Sequence, residues 1–97
     1  MKAESKFQSE LIKKIKNLFA GCIVLKTDAN YIQGFPDILI LYKEQWAALE
    51  CKKFAGASKR PNQKFYVELL NKMSFSRFIY PENEEVVLSE LQRAFKP

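Results

Sequence analysis

Histidine is absent from this 97-residue chain, and cysteine occurs only twice. A structural zinc site is built from four Cys, His or carboxylate ligands, usually Cys and His, so this residue supply argues against one. Without imidazole, a bound metal has to be held by oxygen, which favours Mg²⁺ or Mn²⁺. No apolar run approaches the ~18 residues that a membrane span requires. The opening residues, MKAESKFQSE, lack the apolar centre of a signal peptide. A cytoplasmic location with no membrane partner is therefore expected. Cys22 and Cys51 both lie in apolar, strand-like runs, where they read as reduced core residues. There are no internal repeats and no low-complexity segments.

What is abundant is positive charge and apolar surface. Lys and Arg number 16 against 11 Asp and Glu, a formal charge of +5. Such a surplus on one small domain suits a polyanionic partner such as nucleic acid, or else a solvated basic surface. The apolar share of 47% is that of a globular chain. Its length fits one domain with a modest core, for which a partner subunit would be unsurprising.

Apolar residues at helical spacing predict a helix over residues 3–19, with Phe7, Leu11, Ile12, Ile15, Leu18 and Phe19. At about 100° per residue, Glu4 and Gln8 fall on the same face as Phe7, Leu11 and Ile15. Glu10 falls on the opposite face, near Lys6, Lys13 and Lys14. Cys22–Lys26 reads as a short strand and residues 27–34 as a polar loop. Asp37–Tyr42 reads as a strand buried on both faces. After a turn at Lys43-Glu44-Gln45, Trp46–Lys52 reads as the returning strand of a hairpin. Beyond a basic loop, Pro61 can open a second amphipathic helix carrying Phe65, Tyr66, Leu69, Leu70 and Met73. A strand over residues 74–80 and a helix over 84–95 follow, the latter with Val87, Leu88, Leu91, Ala94 and Phe95 inward. The expected fold is a mixed α/β sandwich in the order α-β-β-β-α-β-α, with a sheet of about four strands flanked by helices, in one domain over residues 1–97.

Chemistry concentrates on the third strand. Glu50 and Lys52 project from one face of it, and Cys51 between them points to the other with Leu49 and Ala47. A lone carboxylate and ammonium are costly in an apolar strand. Asp37 heads the preceding strand, and an antiparallel hairpin brings it beside Glu50. Two neighbouring carboxylates repel unless a cation lies between them. A divalent metal resolves the repulsion, and the backbone carbonyl of Cys51 can supply a further oxygen. Lys52 at the edge can orient a water or steady charge building on a phosphate. Glu-x-Lys by itself is common and is an exposed ion pair in most proteins. Pro36-Asp37 across the turn, and an inward Glu4, are what raise the pattern above that background.

The pattern Pro36-Asp37, twelve residues, then Glu50-Cys51-Lys52 resembles the PD-(D/E)XK nuclease superfamily. With Glu4-x-x-x-Gln8, Gly34-Phe35-Pro36-Asp37, Glu50-Cys51-Lys52-Lys53 and Gln63, it is similar to the VRR-NUC branch over residues 4–63. The resemblance implies a restriction-endonuclease-like core and a Mg²⁺ or Mn²⁺ site. Asp37 and Glu50 would be metal ligands, Lys52 the catalytic lysine, and Glu4 a further carboxylate acting directly or through water. Gln63 would line the site next to the scissile phosphate. The implied activity is phosphodiester hydrolysis in DNA, without a protein nucleophile. Short stand-alone members resemble phage-encoded homodimers acting on branched DNA, four-way junctions included, as in a Holliday junction resolvase; the implied setting is a bacterial or phage-infected host cytosol. Two departures stand out. Arg60 replaces the Ser or Thr that often precedes the Pro of the Gln helix, and Met73-Ser74 replaces a Gly after it.

Around this pattern, Lys53, Lys59, Arg60 and Lys64 are candidates for holding backbone phosphates. Tyr31 can stack on an unpaired base or pack against the domain. Lys6, Lys13, Lys14 and Lys16 suit solubility or DNA contact. Trp46 reads as core or subunit interface. Cys51 has no base to activate it as a nucleophile. The competing readings are a non-catalytic nucleic-acid-binding module on the same fold and a small assembly protein carrying the motif by chance.

Overall fold

The computed structural model describes residues 4–96. Three helices and four strands follow in the expected order: α1 (Glu4–Leu18), β1 (Ile23–Lys26), β2 (Ile38–Tyr42), β3 (Gln45–Cys51), α2 (Pro61–Met73), β4 (Phe75–Ile79) and α3 (Glu84–Ala94). The expected first residue of α1, Ala3, lies outside the described residues. Among them, no helix is long and apolar enough to cross a membrane.

The strands lie in the order β1-β2-β3-β4. The first three are antiparallel neighbours, and β3 pairs with β4 in parallel. A parallel neighbour needs a crossover, and α2 supplies it. The β2–β3 turn has only two residues, and Lys43 takes φ 56 there. Short hairpins demand such a left-handed residue, and Lys is a poor choice for it.

One face of the sheet carries the main core. Ile38, Ile40, Ala47, Leu49, Cys51, Phe75 and Ile79 meet Phe7, Leu11 and Ile15 of α1 and Val87, Leu88 and Leu91 of α3. Side chains alternate along a strand, so these positions follow from pairings such as Ile38 with Leu49 and Ile40 with Ala47. Phe19, Tyr42 and Phe95 close the end of this layer, ring to ring at 5.2–5.7 Å. Lys14 pairs with Glu84 at 3.0 Å, linking α1 to α3. Ala94 is exposed, unlike the other expected inward residues of α3.

The opposite face is covered by α2, but only over β3 and β4. Here two expectations are corrected. The second strand is not buried on both faces: Ile38 and Ile40 are buried, Leu39 is half-buried and Leu41 is exposed. In α2 the buried apolar residues are Val67 and Leu70, whereas Phe65, Leu69 and Met73 face outward. Both differences have one cause: α2 is too narrow to roof all four strands.

Candidate active site

The site forms where β2 begins and β3 ends. One step beyond the last antiparallel pair, Ile38 with Leu49, the register brings Asp37 opposite Glu50. Asp37 Oδ1 accepts the Cys51 N–H at 3.1 Å. The side chain thus takes the place of a backbone acceptor, and β2 starts at Ile38 rather than at Asp37. The preceding loop is pinned on the other side. Thr27 N–H donates to the Asp37 carbonyl at 3.0 Å, and Thr27 Oγ1 donates to the Pro36 carbonyl at 2.7 Å.

Gly34 joins this loop to α2. Its φ is 85°, and a Cβ there would lie 2.4 Å from Asn62 Cβ. Only glycine permits that backbone conformation and that approach together. The contact sets the first turn of α2 against the head of β2, and Phe35 and Tyr66 pack alongside with ring centroids 5.6 Å apart.

Gln63, in that first turn, is the hub. Its Oε1 accepts from Lys52 Nζ at 2.8 Å and from the Arg60 backbone N–H at 3.0 Å. Its Nε2 donates to Glu50 Oε2 at 3.3 Å. Two donors facing Oε1 and a carboxylate facing Nε2 leave one sensible orientation for the amide. The side chain also satisfies a backbone N–H at the helix start, so Gln63 performs part of the capping that Arg60 in place of Ser or Thr had put in question. Glu50 and Lys52 therefore do share a face, and both are nearly buried, at 5% and 8% exposure.

Burial sets the electrostatics. Desolvation, with the negative charge of Asp37 next in size, pushes the Glu50 carboxyl up to about 8, against a pull downward from Lys52. Desolvation likewise raises Asp37 to about 6, opposed by the Cys51 N–H and reinforced by Glu4. Both acids hold their protons mainly because burial disfavours the charged form, and neighbouring carboxylates add to this. The Cys51 thiol is pushed up by burial and by the charges of Asp37 and Glu50, which keeps it protonated and poorly nucleophilic.

Above them opens a cleft of about 640 Å³ lined by Glu4, Asp37, Glu50, Gln63, Arg60 and residues of the 27–35 loop and the start of α2. Glu4 thus reaches the same cleft, as its place on α1 predicts. Of the basic candidates, Arg60 lines the cleft. Lys53 and Lys64 are exposed beside it in sequence. Lys59 Nζ lies 5.3 Å from the ring centroid of Phe78, the β4 partner of Glu50, and 5.8 Å from that of Tyr80. Tyr31 is 85% exposed, so a packing role is ruled out. Thr27, Ala29, Asn30 and Asn62 line the cleft without having been singled out in the sequence; the polar run before Gly34 was the only signal for the first three, and Asn62 had none.

Asp37 and Glu50 suit a hard dication, being oxygen donors set opposite one another in the strand register at the edge of the cleft. Among the described residues no three His, Cys, Asp or Glu side chains close into one metal-binding group. Asp37 and Glu50 supply two carboxylates, a number Mg²⁺ commonly takes from protein, and Glu4 lines the same cleft. No family model matches the chain, and no curated protein or solved structure matches it.

Proposed function

We propose that this chain is a divalent-metal-dependent DNA endonuclease of the VRR-NUC type, built on a restriction-endonuclease-like core and selective for branched DNA. The observation that carries the reading is the hydrogen-bonded line Glu50–Gln63–Lys52, whose Glu50 and Gln63 line, with Asp37, a cleft edged by Arg60.

Asp37 and Glu50 would hold Mg²⁺ or Mn²⁺ through carboxylate oxygens. The chemistry such an ion supplies is Lewis-acid polarisation of a phosphodiester and acidification of water. Gln63 fixes the Lys52 ammonium on the same side as the two carboxylates. From there Lys52 can stabilise negative charge on the phosphate oxygens as the bond to the leaving oxygen breaks. Because Gln63 holds Lys52 in advance, little reorganisation is needed when that charge develops. Arg60 can hold a backbone phosphate with its planar guanidinium, and Lys53 and Lys64 extend the cationic rim.

The decisive experiment incubates the chain with Mg²⁺ and a four-way junction, a flap, single strands and linear duplex, alongside Glu50→Ala and Lys52→Ala. Cleavage of branched DNA by the unaltered chain, reduced at least about 100-fold in both variants with binding retained, is expected. Cleavage that survives Glu50→Ala overturns the assignment of the site. Salt-dependent DNA binding with no cleavage of any substrate points to the non-catalytic module instead.

A further inference from the structure

Two aromatic residues stand one strand away from Glu50 and Lys52 and take no part in the main core. Phe78 is the register partner of Glu50 in the parallel β3–β4 pair, so both side chains leave the sheet on one face. Tyr80, two residues on, follows Phe78 on that face. The Lys52 N–H donates to the Ile79 carbonyl at 2.9 Å, which carries the pairing on to the level of Lys52 and Tyr80. Two half-buried rings thus run alongside the buried carboxylate and ammonium, about 4.8 Å away from backbone to backbone.

The backbone that carries these rings is held on both edges. β3 holds the inner edge. On the outer edge, where β4 has no neighbouring strand, Asn83 stands in for one. The Tyr80 N–H donates to Asn83 Oδ1 at 2.8 Å, and Asn83 Nδ2 donates to the Phe78 carbonyl at 3.0 Å. What covers the rings is not apolar. Lys59 Nζ lies over both, and its hydrogen bond to the Ala55 carbonyl is long, at 3.4 Å. Among the described residues no carboxylate pairs with it. An ammonium so held is a hydrated head on a flexible stem, and it is readily displaced. The next residue, Arg60, has an extended backbone at φ −70° and ψ 151°, and it lines the cleft. Consecutive cations of one strap therefore serve the cleft and the rings.

We propose that Phe78 and Tyr80 form a stacking platform for an unpaired nucleobase beside the scissile phosphate, and that Lys59 leaves the rings to hold a phosphate of the same strand. The inference rests on the proposed nuclease reading, which lays a DNA strand across Glu50 and Lys52, and it narrows the substrate to DNA with an unpaired segment at the point of cleavage. Inside a duplex each base already has neighbours on both faces, so only an unpaired base offers a face to a side chain. A base laid on the rings replaces a weakly held ammonium with a stacked contact, and the freed ammonium gains a phosphate oxygen. Both exchanges favour the bound state. Every base has a π-face, so the platform selects unpaired structure and not sequence. A flap or a single-stranded tail supplies such a base, whereas a fully paired four-way junction does not.

The test compares binding of a blunt duplex with that of the same duplex carrying a tail of about five nucleotides, in EDTA so that nothing is cleaved. The unaltered chain is expected to prefer the tailed duplex at least about fivefold, the lower end of what one stacked base contributes. Tyr80→Ala, with an unchanged circular dichroism spectrum, is expected to bring that preference to within about twofold of unity, and Tyr80→Trp to keep it. Lys59→Ala is expected to lower the salt slope of tailed-duplex binding by about one. A readout without substitution places 5-iododeoxyuridine in the tail, and irradiation is expected to join it to the peptide that contains Phe78 and Tyr80. A chain with no preference for the tail overturns the proposal, as does a preference that survives Tyr80→Ala or is lost equally in Tyr80→Trp. Crosslinking to Tyr31 or Trp46 alone also overturns it. Cleavage with Mg²⁺ is scored separately. A tail preference that depends on Tyr80, with no DNA cleaved, upholds the platform and rejects the nuclease. Equal cleavage of tailed and fully paired DNA rejects the platform and leaves the nuclease standing.

Discussion

The second face of the sheet has two halves that break opposite rules. Under α2, at the end of β3, it buries Glu50 and Lys52, which are 5% and 8% exposed. Over β1 and β2 it leaves Ile23 and Leu25 about half exposed. Charge is hidden in one half and hydrocarbon is shown in the other. Both arrangements cost free energy in an isolated domain, so both are better explained by what the face does than by what folds it. The buried half has a partial internal remedy, the Gln63 amide bridging carboxylate and ammonium. The open half has none among the described residues.

Glu50→Gln removes the buried charge but keeps the shape. Mg²⁺-dependent cleavage should fall at least about 100-fold, roughly 2.7 kcal/mol in barrier, while the metal-free thermal midpoint at pH 8 stays level or rises. A midpoint that drops by many degrees would mean the carboxylate is there for stability. Next in size is Gly34→Ala. The added Cβ would strike Asn62 and the positive φ would be strained, so unfolding in urea should show a loss of about 2 kcal/mol. Cleavage should suffer more than stability, because the displaced helix carries Gln63.

The pH dependence tests the same half without substitution. Asp37 moves from 3.8 unfolded to about 6 folded, and Glu50 from 4.5 to about 8. The folded chain therefore binds more protons than the unfolded chain between these limits, and the slope of stability against pH is negative there. The contribution of these two groups is most favourable below about pH 4. It declines through pH 6 as Asp37 ionises and through pH 8 as Glu50 does. Saturating Mg²⁺ should flatten the decline by binding the ionised pair. A decline that is the same with and without Mg²⁺ would remove the ion from these carboxylates. The smallest effect belongs to the hairpin that joins the halves. Lys43→Gly relieves the left-handed residue at φ 56 and should stabilise the chain by about 1 kcal/mol, read as a higher urea midpoint with an unchanged slope.

Much of this organisation was readable along the chain. Helical spacing of Phe7, Leu11 and Ile15 located both α1 and its buried stripe. The period-two alternation around Glu50 and Lys52 placed them on one face, and the short turn at Lys43 made Asp37 their neighbour. Gln63 entered only through a family resemblance. Its position is physically intelligible only in the fold, since a glutamine in a first helical turn is unremarkable until Lys52, Glu50 and the Arg60 N–H converge on it.

By itself, then, the sequence determined the periodicities, the order of elements, the oxygen-only character of any metal site and the register that pairs Asp37 with Glu50. These are local properties, set by side-chain alternation and by a turn too short to slip. Tertiary structure alone decided which surfaces are covered. DILILY is buried on one face and open on the other, and Phe65, Leu69 and Met73 form a ridge rather than a core. Spacing fixes that a helix has an apolar stripe, but the width of its neighbour and the angle at which it is anchored, here through Gly34 and Asn71, decide how much of that stripe meets protein and how much is left for another partner.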